Sequence, residues 1–216
     1  MKPIDFASLL CSRLCHDLLS PVGAMSNGLE LLVDEHNPEM REQCMSLLQD
    51  SATASANKLK FFRLAFGSAG GFGESVASDE IRAAIEGMFI HNGRIELNWM
   101  VAADTLSKPA TKLLLNLVLI AGDALVRGGV LVVGAESQAD RIELAIRATG
   151  PRIILDPEIR ATLEGKVLEE VVTPRSAPAW LARTLAASEQ GNSLMISAPD
   201  ADYLLFGADL PAVGGT

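Results

Sequence analysis

Apolar side chains recur at spacings of three, four and seven over the first third of the chain. Between Ile4 and Val33 these positions are Leu10, Leu14, Leu18, Met25, Leu29 and Leu32. This periodicity predicts one long helix. A polar turn then leads to Asn37 and Pro38, which suit the cap and first position of a second helix ending near Phe66.

Two long helices joined by a short turn form an antiparallel hairpin. A single hairpin leaves an apolar stripe uncovered, and pairing two hairpins as a four-helix bundle covers it. The pattern therefore predicts a homodimer.

The pattern changes after residue 67. A glycine-rich stretch, Gly67–Ser75, indicates a linker. We predict a hairpin domain over 1–67, a linker over 68–77 and a second domain over 78–216. The second domain alternates predicted helices (Asp79–Phe89, Lys108–Val126, Asp156–Leu163, Ala179–Ser188) with predicted strands (Ile95–Val101, Val130–Ala135, Ile142–Ala148, Leu194–Ser197, Tyr203–Ala208). The expected fold class is α+β, with an α/β sandwich whose helices cover one face of the sheet.

Composition narrows the function classes. The 216 residues are 49% hydrophobic and 5% aromatic and carry a net charge of −9, which argues against nucleic-acid binding. No apolar run is long enough to span a bilayer, and no cleavable signal pattern is present, so we expect a cytoplasmic protein. The odd cysteine count argues against a disulfide framework or a zinc site. We expect Cys11, Cys15 and Cys44 to be small core residues.

The candidate chemistry lies in the first helix, where His16 is followed by Asp17. His16 lies off the leucine stripe and shares a face with Ser20, one turn later. Asp17 lies about 100° round the helix and can still reach the imidazole. A histidine so placed can act as a nucleophile toward a phosphoryl group, with the acid as base and orienting group. His36 and His91 lie in turns, and we expect no chemical role for either.

Pro21 stands one turn after Asp17. A proline inside a helix removes one backbone hydrogen bond, so we expect a carbonyl near Asp17 to be unpaired.

The segment His16-Asp17-Leu18-Leu19-Ser20-Pro21-Val22 resembles the H box of sensor histidine kinases. In that family the box lies on the first helix of a dimeric four-helix bundle, and a nucleotide-binding α/β sandwich follows. The order of hairpin, linker and second domain is similar over nearly the whole chain. The resemblance implies an ATPase-like sandwich.

Three nucleotide boxes of that family have degenerate counterparts here. Asn116–Ala124 resembles the box that holds Mg²⁺, but Ile120 stands where a second asparagine is needed. Ile146–Ile153 resembles the box whose aspartate reads adenine, but that position is Ala148, and Arg152 replaces a glycine. Ser176–Ala182 stands where a glycine-rich phosphate loop is expected, and it contains no glycine.

A phosphoacceptor hairpin without an ATP site resembles the dimeric histidine phosphotransferases of the ChpT type, from alphaproteobacterial cell-cycle relays. The resemblance implies that His16 accepts phosphoryl from the receiver of a CckA-like hybrid kinase and passes it to CtrA-like and CpdR-like response regulators. Asp17 and Ser20 would assist. It implies no cofactor and no metal on this chain, with Mg²⁺ supplied by the receiver.

We expect receivers to dock along the face that carries His16. The candidate docking residues are Arg13, Ser20, Gly23, Ala24 and Asn27 on the first helix, and Asn57 and Lys58 on the second. Two other readings stay open: an active histidine kinase with an unusual ATP site, and a scaffold that binds receivers without chemistry.

Overall fold

The computed structural model of the protein describes residues 1–67, 74–90, 93–138, 141–187, 194–199 and 201–211. Its N-terminal part is the predicted hairpin, built from α1 (Pro3–Asp34) and α2 (Pro38–Ala65). The predicted cap is confirmed, because the Asn37 side chain accepts a hydrogen bond of 2.9 Å from the Glu39 backbone N–H.

The second part is an α/β sandwich. Its strands are β1 (Ser75–Ala77), β2 (Ile95–Val101), β3 (Thr105–Ser107), β4 (Gly129–Ser137), β5 (Arg141–Thr149), β6 (Leu194–Ile196) and β7 (Leu204–Pro211). Its helices are α3 (Ser78–Ile85), α4 (Lys108–Ala124), α5 (Pro157–Leu163) and α6 (Ala177–Ala187). Short helical turns of other kinds cover Glu86–Ile90, which is a π-helix, and Glu169–Val171, which is 3₁₀.

In the part of the chain that the structure describes, the main sheet has five strands in the order β2-β4-β5-β7-β6. Strands β2 and β4 are parallel, and the other neighbours are antiparallel. Inward positions of β5 are buried and outward positions are exposed, in strict alternation. One face of the sheet therefore packs on helices, as expected, and the other faces solvent.

The core of the sandwich extends into the hairpin. Phe61, Phe62 and Leu64, at the end of α2, are buried in the same apolar cluster as α4 and the inner face of the sheet. The buried Asn116 of α4 donates a hydrogen bond of 3.1 Å to the Ala65 carbonyl, which is one of the carbonyls that the end of α2 leaves unpaired. The base of the hairpin is thus held by the second domain.

Three details of the second domain differ from the sequence-based prediction. Residues 75–77, assigned to the linker, form β1, which pairs with β3. The helix predicted over Asp79–Phe89 changes to π geometry at Glu86. Strand β4 extends to Ser137, two residues beyond its predicted end at Ala135. The linker residues 68–73, His91 and Ser188 lie outside the described residues.

The cysteine prediction holds only for Cys44, which is buried, whereas Cys11 and Cys15 are exposed. Cys11 and Cys15 are one turn apart on α1, and the fold of the single chain leaves both uncovered. Within the described residues, no helix is long and apolar enough to cross a membrane.

Candidate functional site

The His16 side chain projects from α1 into solvent, and 83% of its surface is exposed. Its Nδ1 lies 3.2 Å from Oδ1 of Asp17. When the Asp17 carboxylate accepts the Nδ1 proton, Nε2 is the nitrogen that carries the free lone pair. His16 is thus exposed, as its position off the leucine stripe indicates, and it contacts Asp17.

Arg13 holds the other oxygen of the same carboxylate. Its Nε donates a hydrogen bond of 2.9 Å to Oδ2 of Asp17, one turn later on α1. Its Nη2 donates a hydrogen bond of 2.7 Å to Oδ2 of Asp123, at the end of α4. Only 12% of the Arg13 side chain and 14% of the Asp17 side chain are exposed, so both groups are largely withdrawn from water.

The pKa values of Arg13 and Asp123 both depart from their ordinary values in this setting. Burial lowers the pKa of Arg13, but the carboxylates of Asp123 and Asp17 outweigh it, so the pKa lies above its ordinary value. Loss of solvent raises the pKa of Asp123, against the opposing effect of Arg13. Asp123 nonetheless keeps 45% of its side-chain surface exposed, and the 2.7 Å contact with a guanidinium favours its charged form at neutral pH.

Pro21 is buried within α1 and has no N–H to donate to the Asp17 carbonyl, four residues earlier. The structure corrects the expectation that this carbonyl is unpaired. The Lys58 ammonium, on α2, donates to it over 2.7 Å. Lys58 therefore replaces the backbone donor that the proline removes.

A groove of about 540 Å³ runs beside this point between the two hairpin helices. Its lining residues are Ser20, Pro21, Ala24, Asp50, Ser51, Ala54 and Lys58. Ser20 and Asn27 are exposed, and a methyl group added at Gly23 would meet no atom within 4 Å. The structure thus places Ser20, Ala24 and Lys58 in one groove, and Gly23 and Asn27 on the α1 face that carries His16.

Asn57 lies elsewhere. Its side chain packs against Gly87 of the π-helix, where an added methyl group would come within 2.9 Å of the Asn57 Cγ. Asn57 therefore contacts the second domain and does not line the groove.

Buried apolar residues occupy positions at which the nucleotide boxes would contact ATP or Mg²⁺. Ile120 of α4, Ala148 of β5 and Ala179 of α6 are all buried in the apolar cluster of the sandwich. Asn116 is also buried, and its amide nitrogen donates to the carbonyls of Ala65 and Lys112. The side chains of Ile120, Ala148 and Ala179 offer no oxygen to Mg²⁺ and no acceptor to adenine. The oxygen that remains among these positions is Oδ1 of Asn116, which is buried and has no hydrogen-bond partner among the described residues. One amide oxygen enclosed by an apolar cluster is not a ligand set for Mg²⁺, so the residues present do not fit Mg-ATP.

The start of the segment that stands in place of the phosphate loop is hydrogen-bonded to α5. The Ser176 and Thr173 hydroxyls each donate a bond of 2.7 Å to Oε1 of Glu158. Ser176 and Pro178 are buried, so their surfaces face protein. Among the described residues there is also no group of three or more His, Cys, Asp and Glu side chains that could hold a metal ion.

Asp123 was not predicted from the sequence as a site residue. A carboxylate in the last turn of a helix opposes the helix dipole, which favours cations there. That unfavourable position was a signal that Asp123 has a cationic partner, although its identity depends on the tertiary fold.

The chain is similar to known phosphotransferases in sequence and in overall fold. A family model described as the histidine phosphotransferase C-terminal domain matches residues 78–202. The chain is 35% identical over 210 residues to the protein phosphotransferase ChpT of Brucella abortus (strain 2308), covering 97% of each chain.

A solved structure of a bacterial phosphotransferase is also similar, with 32% identity, a TM-score of 0.84 and coverage of 96% of this chain and 97% of that chain. The likeness therefore includes the hairpin, the sandwich and their arrangement. By sequence and by structure, the chain belongs to the histidine phosphotransferase family and has a phosphorelay function.

Proposed function

We propose that His16 is the phosphoacceptor of a relay that runs from the receiver domain of a CckA-like hybrid kinase to CtrA-like and CpdR-like response regulators. The observation that carries this proposal is the exposed imidazole whose Nδ1 faces Asp17. That contact leaves Nε2 open to solvent on a convex helix surface, where another protein can reach it.

The transfer proceeds in two displacements. Nε2 of His16 attacks the phosphorus of the receiver's aspartyl phosphate; an N–P bond forms, and the P–O bond to the aspartate breaks. The receiver aspartate leaves as a carboxylate, and Asp17 stabilises the ring proton at Nδ1. A second receiver aspartate then attacks the same phosphorus, and the imidazole leaves with its electron pair.

The receiver docks beside His16, on the groove between α1 and α2. Ser20, Ala24 and Lys58 line this groove, and Asn27 extends the same face toward the hairpin turn. Small residues at Gly23 and Ala24 leave room for a partner helix to approach closely. Both receivers use one surface, because both must present an aspartate to the same nitrogen.

The protein carries phosphoryl groups without binding ATP. Buried aliphatic residues at Ile120 and Ala148 occupy the positions that a kinase uses for Mg²⁺ and adenine, which supports this statement. The chain needs no cofactor of its own, and Mg²⁺ arrives with the receiver.

The active form is a homodimer in the cytoplasm. Apolar or small residues on one side of α1 are exposed in the single chain: Ile4, Cys11, Cys15, Val22, Leu29 and Val33. Their spacings of seven and four match the seam of a helix bundle. Met45 and Leu59, fourteen residues apart on α2, add exposed apolar surface.

The test is label transfer in the absence of ATP. A receiver domain carrying radiolabelled phosphoryl is mixed with the wild-type protein, with His16→Ala and with His36→Ala as the matched histidine control. Label on the wild type and on His36→Ala, but not on His16→Ala, is the expected result. A separate reaction with labelled ATP alone should give no label.

Two other results would overturn the proposal. Label taken from ATP alone would mean that the second domain is an active kinase. Receiver binding without label on any variant would identify a scaffold.

A further inference from the structure

We infer that Asp123 of the second domain is a positioning residue for phosphoryl transfer, acting on His16 through Arg13 and Asp17. The inference rests on the proposed function of His16. It assigns the sandwich a direct part in the chemistry, although this domain does not fit ATP.

Three contacts join the four side chains of Asp123, Arg13, Asp17 and His16 in one continuous path. Asp123 accepts from Arg13 Nη2 at 2.7 Å, and Arg13 Nε donates to Asp17 Oδ2 at 2.9 Å. The remaining oxygen, Asp17 Oδ1, faces His16 Nδ1 at 3.2 Å. Arg13 binds Asp123 and Asp17 through different nitrogens, and Asp17 binds Arg13 and His16 through different oxygens. The three contacts can therefore exist at the same time.

Asp123 fixes which way Arg13 points. An arginine on an exposed helix has many rotamers, and a contact with Asp17 alone would leave the far end of the guanidinium free. The Asp123 carboxylate lies on α4, 110 residues away in the chain, and its hydrogen bond restricts the Arg13 guanidinium to one plane. The orientation of the Asp17 carboxylate toward His16 then depends on α4.

Asp123 belongs to a rigid part of the molecule. It lies between the buried residues Gly122 and Ala124 at the end of α4, the central helix of the sandwich core. A small displacement of the groups that orient a nucleophile lowers the rate of a displacement reaction strongly. An anchor in the core is therefore suited to hold Asp17.

The experiment measures single-turnover transfer from the phosphorylated receiver as a function of receiver concentration. The variants are Asp123→Ala, which removes the acceptor, and Asp123→Asn, which keeps one oxygen but loses the charge. The maximal transfer rate is expected to fall by about tenfold in Asp123→Ala and by less in Asp123→Asn. The receiver concentration at half-maximal rate should stay within about twofold of wild type, because Asp123 is not part of the docking groove.

The control is Glu80→Gln. Glu80 accepts from Arg63 Nη2 at 2.8 Å and also joins the hairpin to the second domain, and its side chain is 45% exposed, as that of Asp123 is. This pair does not lead to His16. The Glu80→Gln variant should accept phosphoryl at the wild-type rate, even if it changes the thermal stability as much as Asp123→Ala does.

A spectroscopic readout separates positioning from stability. Nitrogen chemical shifts of the His16 ring, measured on the folded protein, report which nitrogen carries the proton. Asp123→Ala should shift His16 away from the Nδ1–H form, whereas Glu80→Gln should not.

The outcomes are distinct. A wild-type protein that takes no label from the receiver refutes the proposed function itself. A wild type that transfers normally, with Asp123→Ala equally fast and the His16 ring unchanged, overturns only the present inference. A rise in the half-maximal receiver concentration with an unchanged maximal rate also overturns it, because Asp123 would then be a docking residue.

Discussion

The Lys58 ammonium on α2 lies 2.7 Å from the backbone carbonyl of Asp17 on α1. This is the carbonyl that Pro21 leaves without its helical donor. The side chain of Asp17 faces His16, while its backbone is held from the opposite helix. Lys58 thus stabilises the helix turn that carries the candidate phosphoacceptor.

Lys58→Met should lower the free energy of unfolding by about 1–2 kcal/mol, because it keeps most of the aliphatic stem and removes the donor. The loss should be at most about half as large in a Pro21→Ala background, where the residue 21 N–H can pair with the Asp17 carbonyl. Urea unfolding of the four proteins in this double-mutant cycle gives the coupling.

Lys60→Met is the matched control, since Lys60 lies on α2 in an exposed position. It should change stability by less than about 0.5 kcal/mol in either background. Equal losses for Lys58→Met with and without Pro21 would show that the ammonium does not replace the missing donor.

Leu29→Glu should weaken the proposed dimer by about tenfold or more. Leu29 lies on the exposed seam of α1, and a glutamate there loses apolar burial in both chains at once. Sedimentation over a range of concentrations measures the effect.

Leu31→Glu tests the same substitution on the other side of α1. The side chains of Leu29 and Leu31 are 58% and 61% exposed. Because the two residues are two positions apart on a helix, their side chains point about 200° apart. Leu31→Glu should leave the dimer intact. Loss of the dimer with both variants would argue against the seam.

Ala148→Asp restores the acid that the kinase box has, yet it should not create ATP binding. Ala148 is buried in the core, and an unpaired charge there should cost about 3–5 kcal/mol of stability. Ala145→Asp, on the exposed face of the same strand, should cost less than about 1 kcal/mol. Thermal unfolding with and without Mg-ATP measures both quantities; a rise in melting temperature with Mg-ATP would contradict the prediction.

Gly122→Ala should destabilise the fold by about 1–3 kcal/mol, because a methyl group there would lie 2.7 Å from Cζ of Phe89. The Phe89 ring cannot retreat freely, since it packs edge to face against Phe61. Gly134→Ala is the control: its nearest neighbour would be 3.7 Å away. Denaturant unfolding should separate the two variants, and equal stability would mean that Phe89 moves aside without cost.

The hairpin and most of the sandwich could be predicted from sequence because their signals are local. Helical periodicity and the Asn37-Pro38 cap located α1 and α2, and the bounds predicted for β2, Ile95–Val101, are the bounds observed. The short strands β1 and β3 were missed, because three residues carry no periodicity and their pairing forms only in the folded chain. The π geometry at Glu86–Ile90 was missed because it differs from an α-helix only in hydrogen-bond register.

The candidate site could be predicted only in part, for the same reason. His16, Asp17 and Ser20 are neighbours on one helix, so their relation follows from helix geometry. The link from Arg13 to Asp123 and the bond from Lys58 to the Asp17 carbonyl join residues far apart in the chain. Arg13 was expected at the docking surface, and the structure shows its guanidinium engaged by two carboxylates.

The burial of Phe61 and Phe62 in the sandwich core implies two zones of folding cooperativity along the hairpin. Amide protons in the last turns of α2 should exchange with solvent only when α4 also opens, since Asn116 binds the Ala65 carbonyl and both rings are fully enclosed. Amides near the turn around Asn37 should exchange by local fraying. The base of the hairpin should therefore open only with the whole second domain, whereas its turn should open locally.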